Sequence, residues 1–383
     1  MFQAYLATFP WDVADDRLHA FLDPLQGELG LSGVAAWVAS APLIQCRASA
    51  DAPSMVYSSG GLLFEYQSCR YSELPIQPAG ARDVHVPDRW LSRLREACGR
   101  RGLHVRGVLS ASRMGGLVER APSAATQNLY GIASRQAVCP LNPAVQECLR
   151  TIVAELSDRF ALESLLITDL FCGWVEAYSP LLEPARLDRS IARAFLARCF
   201  CPACCRGAAE ANVDVEAARS AARDTLADLV GESRDGAAGQ GISNAIGVPL
   251  AEFDTWRGAA YRALLQRLSN EAGGRVLVDI RDWTLSISPQ AITPADGRVG
   301  LAFPLVEAGT KPASDRSESP PNEVLVEDNW LTLDRVEPLV RALAEAAERG
   351  AIGATFHAIG PLTTSATTAI RRAVRFARRV NTA

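Results

Sequence analysis

Three acidic residues close short apolar runs: Asp169 after Leu165-Leu166-Ile167-Thr168, Asp279 after Val276-Leu277-Val278, and Glu327 after Val324-Leu325-Val326. A carboxylate ending a buried strand is costly unless it is paired or solvated at an opening. That cost separates these three from Glu155 and Glu345, which the helical pattern puts on solvated helix faces. Two carboxyl groups flanking a scissile atom can hydrolyse a glycosidic bond, one protonating the departing oxygen and the other attacking or activating water. On this reading Asp169 is the nucleophile or electrostatic stabiliser, and Asp279 or Glu327 is the general acid/base. Arg281 follows Asp279 on the same strand face, as a structural ion pair or as a cation that keeps the carboxylate charged. Strand alternation lets only one of Glu327 and Asp328 face inward, and Glu327 is the one expected.

Trp11, Trp174, Trp283 and Trp330 follow strand-like runs and can offer an apolar face to a sugar ring, whereas Trp37, in mid-strand, reads as core. Asp12, Glu65, Tyr66 and His357 complete a candidate substrate-binding rim. Asp12 could equally cap the first helix, and His357 could be a hydrogen-bonded core histidine. Cys199, Cys201, Cys204 and Cys205 crowd together, with Cys172 upstream. Zinc takes four thiolate or imidazole ligands, and Cys201-Pro202-Ala203-Cys204 supplies one half of such a set. Cys199 with Cys172 or Cys205 would complete it. A four-thiolate shell is closed, so this zinc would be structural, and the reaction itself is expected to need no cofactor. No second C-x-x-C and no H-x₃₋₅-H follows, so the leading expectation is a set of buried thiols that tie the insertion together, with structural zinc and a redox dithiol as the alternatives.

The elements that must position these residues follow from periodicity. Apolar strands at 4–9, 33–38, 103–109, 165–169, 276–280, 299–305, 324–327 and 353–357 alternate with amphipathic helices. The count and order predict a (β/α)₈ TIM barrel, one unit across residues 1–383 with each strand feeding a helix. Long insertions follow strands 2, 3, 4 and 5, at 40–86, 110–141, 172–248 and 284–322, and the third is mostly helical. Segments after strands crown the carboxyl-terminal face of a barrel, where active sites are built. A doubly wound open sheet is the alternative, but no G-x-G-x-x-G follows the first strand.

Composition narrows the functional class. The 383 residues carry 39 Lys+Arg and 43 Asp+Glu, a net charge of −4, with 48% hydrophobic residues. That is too apolar for disorder, and it has neither the ~20-residue apolar run of a membrane span nor the basic stripe of a nucleic-acid binder. Lys311 is the only lysine, a composition bias without chemical meaning. Ten cysteines without a leader-like amino terminus point to a reducing cytoplasm. The expected partner is a small carbohydrate or glycoside.

Three stretches carry a resemblance. Cys139-Pro140-Leu141-Asn142-Pro143, the helix that follows, and the strand ending in Asp169 resemble the family-10-like glycosyl hydrolases. Val56-Tyr57 through Tyr71 and Pro75 is similar to their glycine- and aromatic-bearing segment ahead of the second helix, and Arg198 to Cys204 is similar to the C-F-C-x-x-C segment of some members. The chain departs from the pattern at Glu163-Ser164, where those proteins have Asp-Gly, and at 170–174, where they carry an acidic cluster. It departs again at Phe356-His357-Ala358-Ile359-Gly360, which lacks their Asn-Tyr. The resemblance implies a glycosidase-type barrel. A barrel lyase or isomerase on a sugar-like substrate, or a carbohydrate-binding barrel without catalysis, are the alternatives.

Overall fold

The computed structural model describes residues 2–13, 17–48, 53–178, 189–234, 247–281, 283, 285, 287–305, 323–327, 331, 336–357 and 364–382. Eight strands lie parallel: β1 (Gln3–Thr8), β2 (Gly33–Ser40), β3 (His104–Ser110), β4 (Ser164–Thr168), β5 (Arg275–Asp279), β6 (Val299–Pro304), β7 (Glu323–Glu327) and β8 (Gly353–His357). They pair in chain order, and β1 bonds to both β2 and β8, so the sheet has no free edge there and the barrel is closed. This is the (β/α)₈ barrel the alternation predicted, and closure excludes the open doubly wound sheet.

Among the described residues, the helices longer than one turn are α1 (Leu18–Gly27), α2 (Trp90–Gly99), α3 (Pro143–Phe160), α4 (Arg189–Leu196), α5 (Pro202–Glu210), α6 (Val215–Arg234), α7 (Val248–Ala272), α8 (Val336–Glu348) and α9 (Thr364–Thr382). Among the described residues no α-helix lies between β5 and β6, against the expectation that each strand feeds one. A 3-10 turn, Pro289–Ile292, takes its place before β6. Pro289, Pro294 and Gly297 interrupt any run of helical hydrogen bonds there. The preceding α7 covers the stretch instead, with Arg262 donating to the Ala291 carbonyl and Gln266 to Asp296.

Tyr5, Ala7, Ala35, Val108, Leu166, Leu277, Ala302 and Leu325 fill the barrel interior, and a larger apolar shell packs between the strands and the helices. Below the interior layer, at the amino-terminal end, Arg106 is 2% exposed. It donates to Ser164 Oγ (2.8 Å), Thr355 Oγ1 (2.8 Å) and Glu323, with its guanidinium over the Tyr5 ring. Among the described residues no helix is long and apolar enough to cross a membrane.

The start of α3 shows how sequence sets an element boundary. Asn142 Oδ1 accepts from Ala144 N at 3.0 Å, and Pro143 occupies the first turn, where its missing N–H costs nothing. Asn142→Ala should lower stability by about 1 kcal/mol, read as a shift of the urea midpoint at unchanged slope. An unmoved midpoint would mean the cap is dispensable. Further along α3, Glu155 corrects its expected solvated setting, because it is fully buried. Tyr71 Oη donates to it at 2.6 Å, Gln67 N at 2.7 Å and Arg159 Nη1 at 2.5 Å. The helical pattern shows which face Glu155 occupies, but not that the 67–71 turn folds over that face.

Candidate active site at the carboxyl end of the barrel

Successive inward positions on a strand are two residues apart. One step beyond the interior residues Val108, Leu166, Leu277 and Leu325 stand Ser110, Thr168, Asp279 and Glu327, and His357 is one step beyond Thr355. These five therefore ring the mouth, with Glu327 and His357 in direct register across β7 and β8. Asp169 lies one residue past Thr168 and should face outward, but its φ of 57° is left-handed, a conformation Asp tolerates better than most residues. The turn swings its carboxylate back over the opening. There Oδ2 accepts from Ser110 Oγ at 2.6 Å and Thr168 Oγ1 at 3.2 Å, and Oδ1 lies 3.8 Å from Arg113 Nη1.

Arg281 spans the other two acids. Its Nε and Nη2 reach Asp279 Oδ2 at 2.6 and 2.5 Å, its backbone N–H donates to Oδ1 at 2.9 Å, and Nη1 donates to Glu327 Oε1 at 2.5 Å. Burial raises the Asp279 carboxyl above the usual carboxylate range against the opposing pull of Arg281, and the Asp169 charge adds to the rise. Burial disfavours the charge of Arg281, but Asp279 and Glu327 outweigh it and hold the guanidinium protonated. Asp279 is 4% exposed with both oxygens committed to Arg281, whereas the Glu327 side chain is 45% exposed and hydrogen-bonds the arginine through one oxygen.

An aromatic wall flanks these groups. Trp11, Phe9 and Trp37 form a parallel stack, with centroids 4.8 and 5.3 Å apart, and the edge of Trp37 meets His357 at 6.1 Å. Trp37 was expected in the core; it packs on the barrel interior yet is only half-buried. The Trp11 indole donates to Gln45, and Asp12 accepts from Phe9 N at 3.1 Å. Trp174 is half-buried, and its indole nitrogen has no hydrogen-bond partner among the described residues.

The remaining candidates are held by their own neighbours. Glu65 accepts from Ser92 N and Oγ at the start of α2, and Tyr66 accepts from Gly80 N, so both serve the packing of α2 and its neighbours. Trp283 stacks edge-on against Phe171 and gives its indole N–H to the Ile287 carbonyl. Trp330 and Asp328 fall outside the described residues. Ser110 and Thr168 escaped the sequence reading, although both sit one inward step past an interior aliphatic.

Four cysteines form a second cluster. The sulfurs of Cys139, Cys199, Cys201 and Cys204 lie within 4.8 Å of one another, all buried. The fourth member is Cys139 and not the expected Cys172 or Cys205. Cys172 contacts Ser112 Oγ at 2.8 Å, and Cys205 donates to the Phe200 carbonyl at 3.2 Å.

The His357 imidazole is pushed down to about 3 by burial, with the charges of Arg281 and Arg106 adding to the effect. The unfolded chain therefore takes up a proton near pH 6.5 that the folded chain refuses until about pH 3. This contribution to stability is complete above pH 6.5 and is lost as pH falls through that window, by at most about 1.4 kcal/mol per pH unit. Urea unfolding between pH 6.5 and 4.5 should show a shallower loss of stability in His357→Gln than in the native chain. Parallel curves would contradict a neutral buried imidazole.

No family model matches the chain, and no curated protein is similar to it in sequence. Solved structures share its fold. The catalytic domain of a β-amylase from Paenibacillus polymyxa superposes with TM-score 0.50 at 12% identity, over 100% of this chain and 98% of that one. A β-galactosidase from Halorubrum lacusprofundi gives 0.52 at 13% identity, over 98% of this chain and 58% of that one. An exo-β-N-acetylglucosaminidase from Vibrio harveyi, in complex with N-acetylglucosamine, gives 0.51 at 11%, over 97% and 54%. The chain thus spans little more than half the length of the latter two. At these identities the likeness is one of fold: a TIM barrel of the kind glycosidases use.

Proposed function

We propose that this chain is a glycosidase-type barrel enzyme that hydrolyses the glycosidic bond of a small glycoside or oligosaccharide. One observation carries the reading: carboxylates from β4, β5 and β7 converge on a single barrel mouth beside an aromatic wall. Glu327 keeps one oxygen off Arg281 and reaches solvent, so it is the acid best placed to attack the anomeric carbon or to activate water. Its guanidinium partner suits a carboxylate that works in its charged form. Asp169 approaches from β4, and its two hydroxyl donors both fall on Oδ2; we assign the proton given to the leaving oxygen to Oδ1, the reverse of the roles read from the sequence. Proton donation breaks the bond to that oxygen, and the anomeric carbon gains its new bond from Glu327 or from water. Asp279 holds Arg281 in position. Trp37 supplies the apolar face for a sugar ring, and the buried nitrogen of His357, which has no partner among the described residues, can hydrogen-bond a sugar hydroxyl. The resemblance of residues 139–169 and 198–204 to the family-10-like glycosyl hydrolases supports the same reading.

Aryl α- and β-glycosides of glucose, galactose and N-acetylglucosamine test it. Release of the aryl alcohol by the native chain, lost in Asp169→Asn, is the expected result. The Arg281 clamp on two acids favours one second reading, a barrel that binds carbohydrate without cleaving it. Binding of the free sugars with no turnover of any glycoside would select that reading over ours.

A further inference from the structure

The geometry points to a structural zinc ion held by Cys139, Cys199, Cys201 and Cys204, with Arg198 and Arg257 balancing its charge. Tetrahedral zinc–thiolate bonds of about 2.3 Å place neighbouring sulfurs about 3.8 Å apart. The four sulfurs here fit inside 4.8 Å, and the 3.5 Å between Cys139 and Cys204 is far longer than a disulfide bond. Backbone hydrogen bonds fix the frame: Cys139 N donates to Ala124 O at 2.7 Å, and Phe200 N to Gln127 O at 2.7 Å.

A second, independent observation concerns charge. Arg257 is 1% exposed, and Nε and Nη1 have no hydrogen-bond partner among the described residues. Its Nη2 donates to Tyr261 Oη at 3.1 Å. Asp254, within its electrostatic reach, is bonded to Arg198 through two oxygens, and Arg198 Nη1 has no hydrogen-bond partner among the described residues. A buried guanidinium without a counter-charge is strongly unfavourable. Cys204 and Cys199 are electrostatic neighbours of Arg257. As neutral thiols they leave two buried guanidiniums, Arg198 and Arg257, to share the one Asp254 charge, whereas a zinc ion with four thiolates carries two negative charges and supplies the missing compensation. Binding would replace four S–H bonds with four Zn–S bonds, and the four protons would go to solvent.

The ion would join the segment before α3 to the segment between β4 and β5, directly behind the Asp169 turn. Trp174 N donates to Ala197 O at 3.2 Å, and a Cβ on Gly173 would meet that same carbonyl oxygen at 1.6 Å, so the turn lies flat against the segment between α4 and Cys199.

Metal content of the full-length chain purified without chelator tests this. One zinc per chain is expected, together with four thiols that react with a thiol reagent only as zinc is released. After cobalt(II) replacement, the spectrum should be that of a tetrahedral four-thiolate site, and Cys205→Ser should retain it. Cys139→Ser should lose it or, if that chain fails to fold, the native stoichiometry and cobalt spectrum decide alone. A folded native chain without metal whose four thiols react freely, a Cys139–Cys204 disulfide, or a cobalt spectrum of three thiolates would each overturn the assignment.

Discussion

Glu327→Gln and Asp169→Asn should each lower kcat on a cleaved glycoside by about 10²–10⁴-fold, the usual contribution of a positioned acid or base. The melting temperature should move by less than about 2 °C, because neither amide leaves a buried charge without its partner. Glutamine at 327 still offers a carbonyl oxygen to Arg281, and asparagine at 169 still accepts from Ser110 and Thr168. The KM should change little, since the aromatic wall and His357 are untouched. A loss of activity that tracks a loss of folding would remove both residues from the chemistry. Arg281→Met should behave differently, because it frees two carboxylates to repel each other and leaves Asp279 buried without its cation.

The largest effect on stability is expected at the opposite end of the barrel. Glu323→Ala leaves Arg106, 2% exposed, without its carboxylate and should cost about 3–5 kcal/mol, read from the urea unfolding midpoint at constant slope. The hydroxyls of Thr355 and Ser164 remain, but they cannot neutralise a buried cation. Replacing both members, as in Arg106→Met with Glu323→Leu, should recover most of the loss, because an apolar pair of similar volume has no charge to desolvate. If the double variant is as unstable as the single one, packing and not charge is what this network provides. Activity per folded molecule should survive in either case, since the interior layer from Tyr5 to Leu325 separates the network from the mouth.

The fold was legible because each strand ends a short aliphatic run and each long excursion follows a strand. The same alternation places Asp279 and Glu327 on the inward face, and it could also have placed Ser110 and Thr168. Where contacts are distant in the chain, periodicity says nothing. Cys139 meets Cys199 and Cys201 only because two excursions fold against each other, and Glu155 is buried only because the 67–71 turn crosses α3. Asp169 was marked as a strand-end acid, yet the left-handed turn that brings its carboxylate over the mouth leaves no pattern in residue type. Glu65 and Tyr66 were placed on the rim, but the chain ahead of them turns back along β2, with Leu62 antiparallel to Ala39, and Ser92 of α2 and Gly80 donate to them. The missing helix after β5 was hidden by counting strands without weighing Pro289 and Pro294.

A double-variant cycle on kcat addresses the shared mouth most directly. Two carboxylates acting on one bond form a unit, so Asp169→Asn combined with Glu327→Gln should be no slower than the slower single variant. Losses that multiply would mean that the two acids act independently, and the single site at the top of the barrel would be wrong.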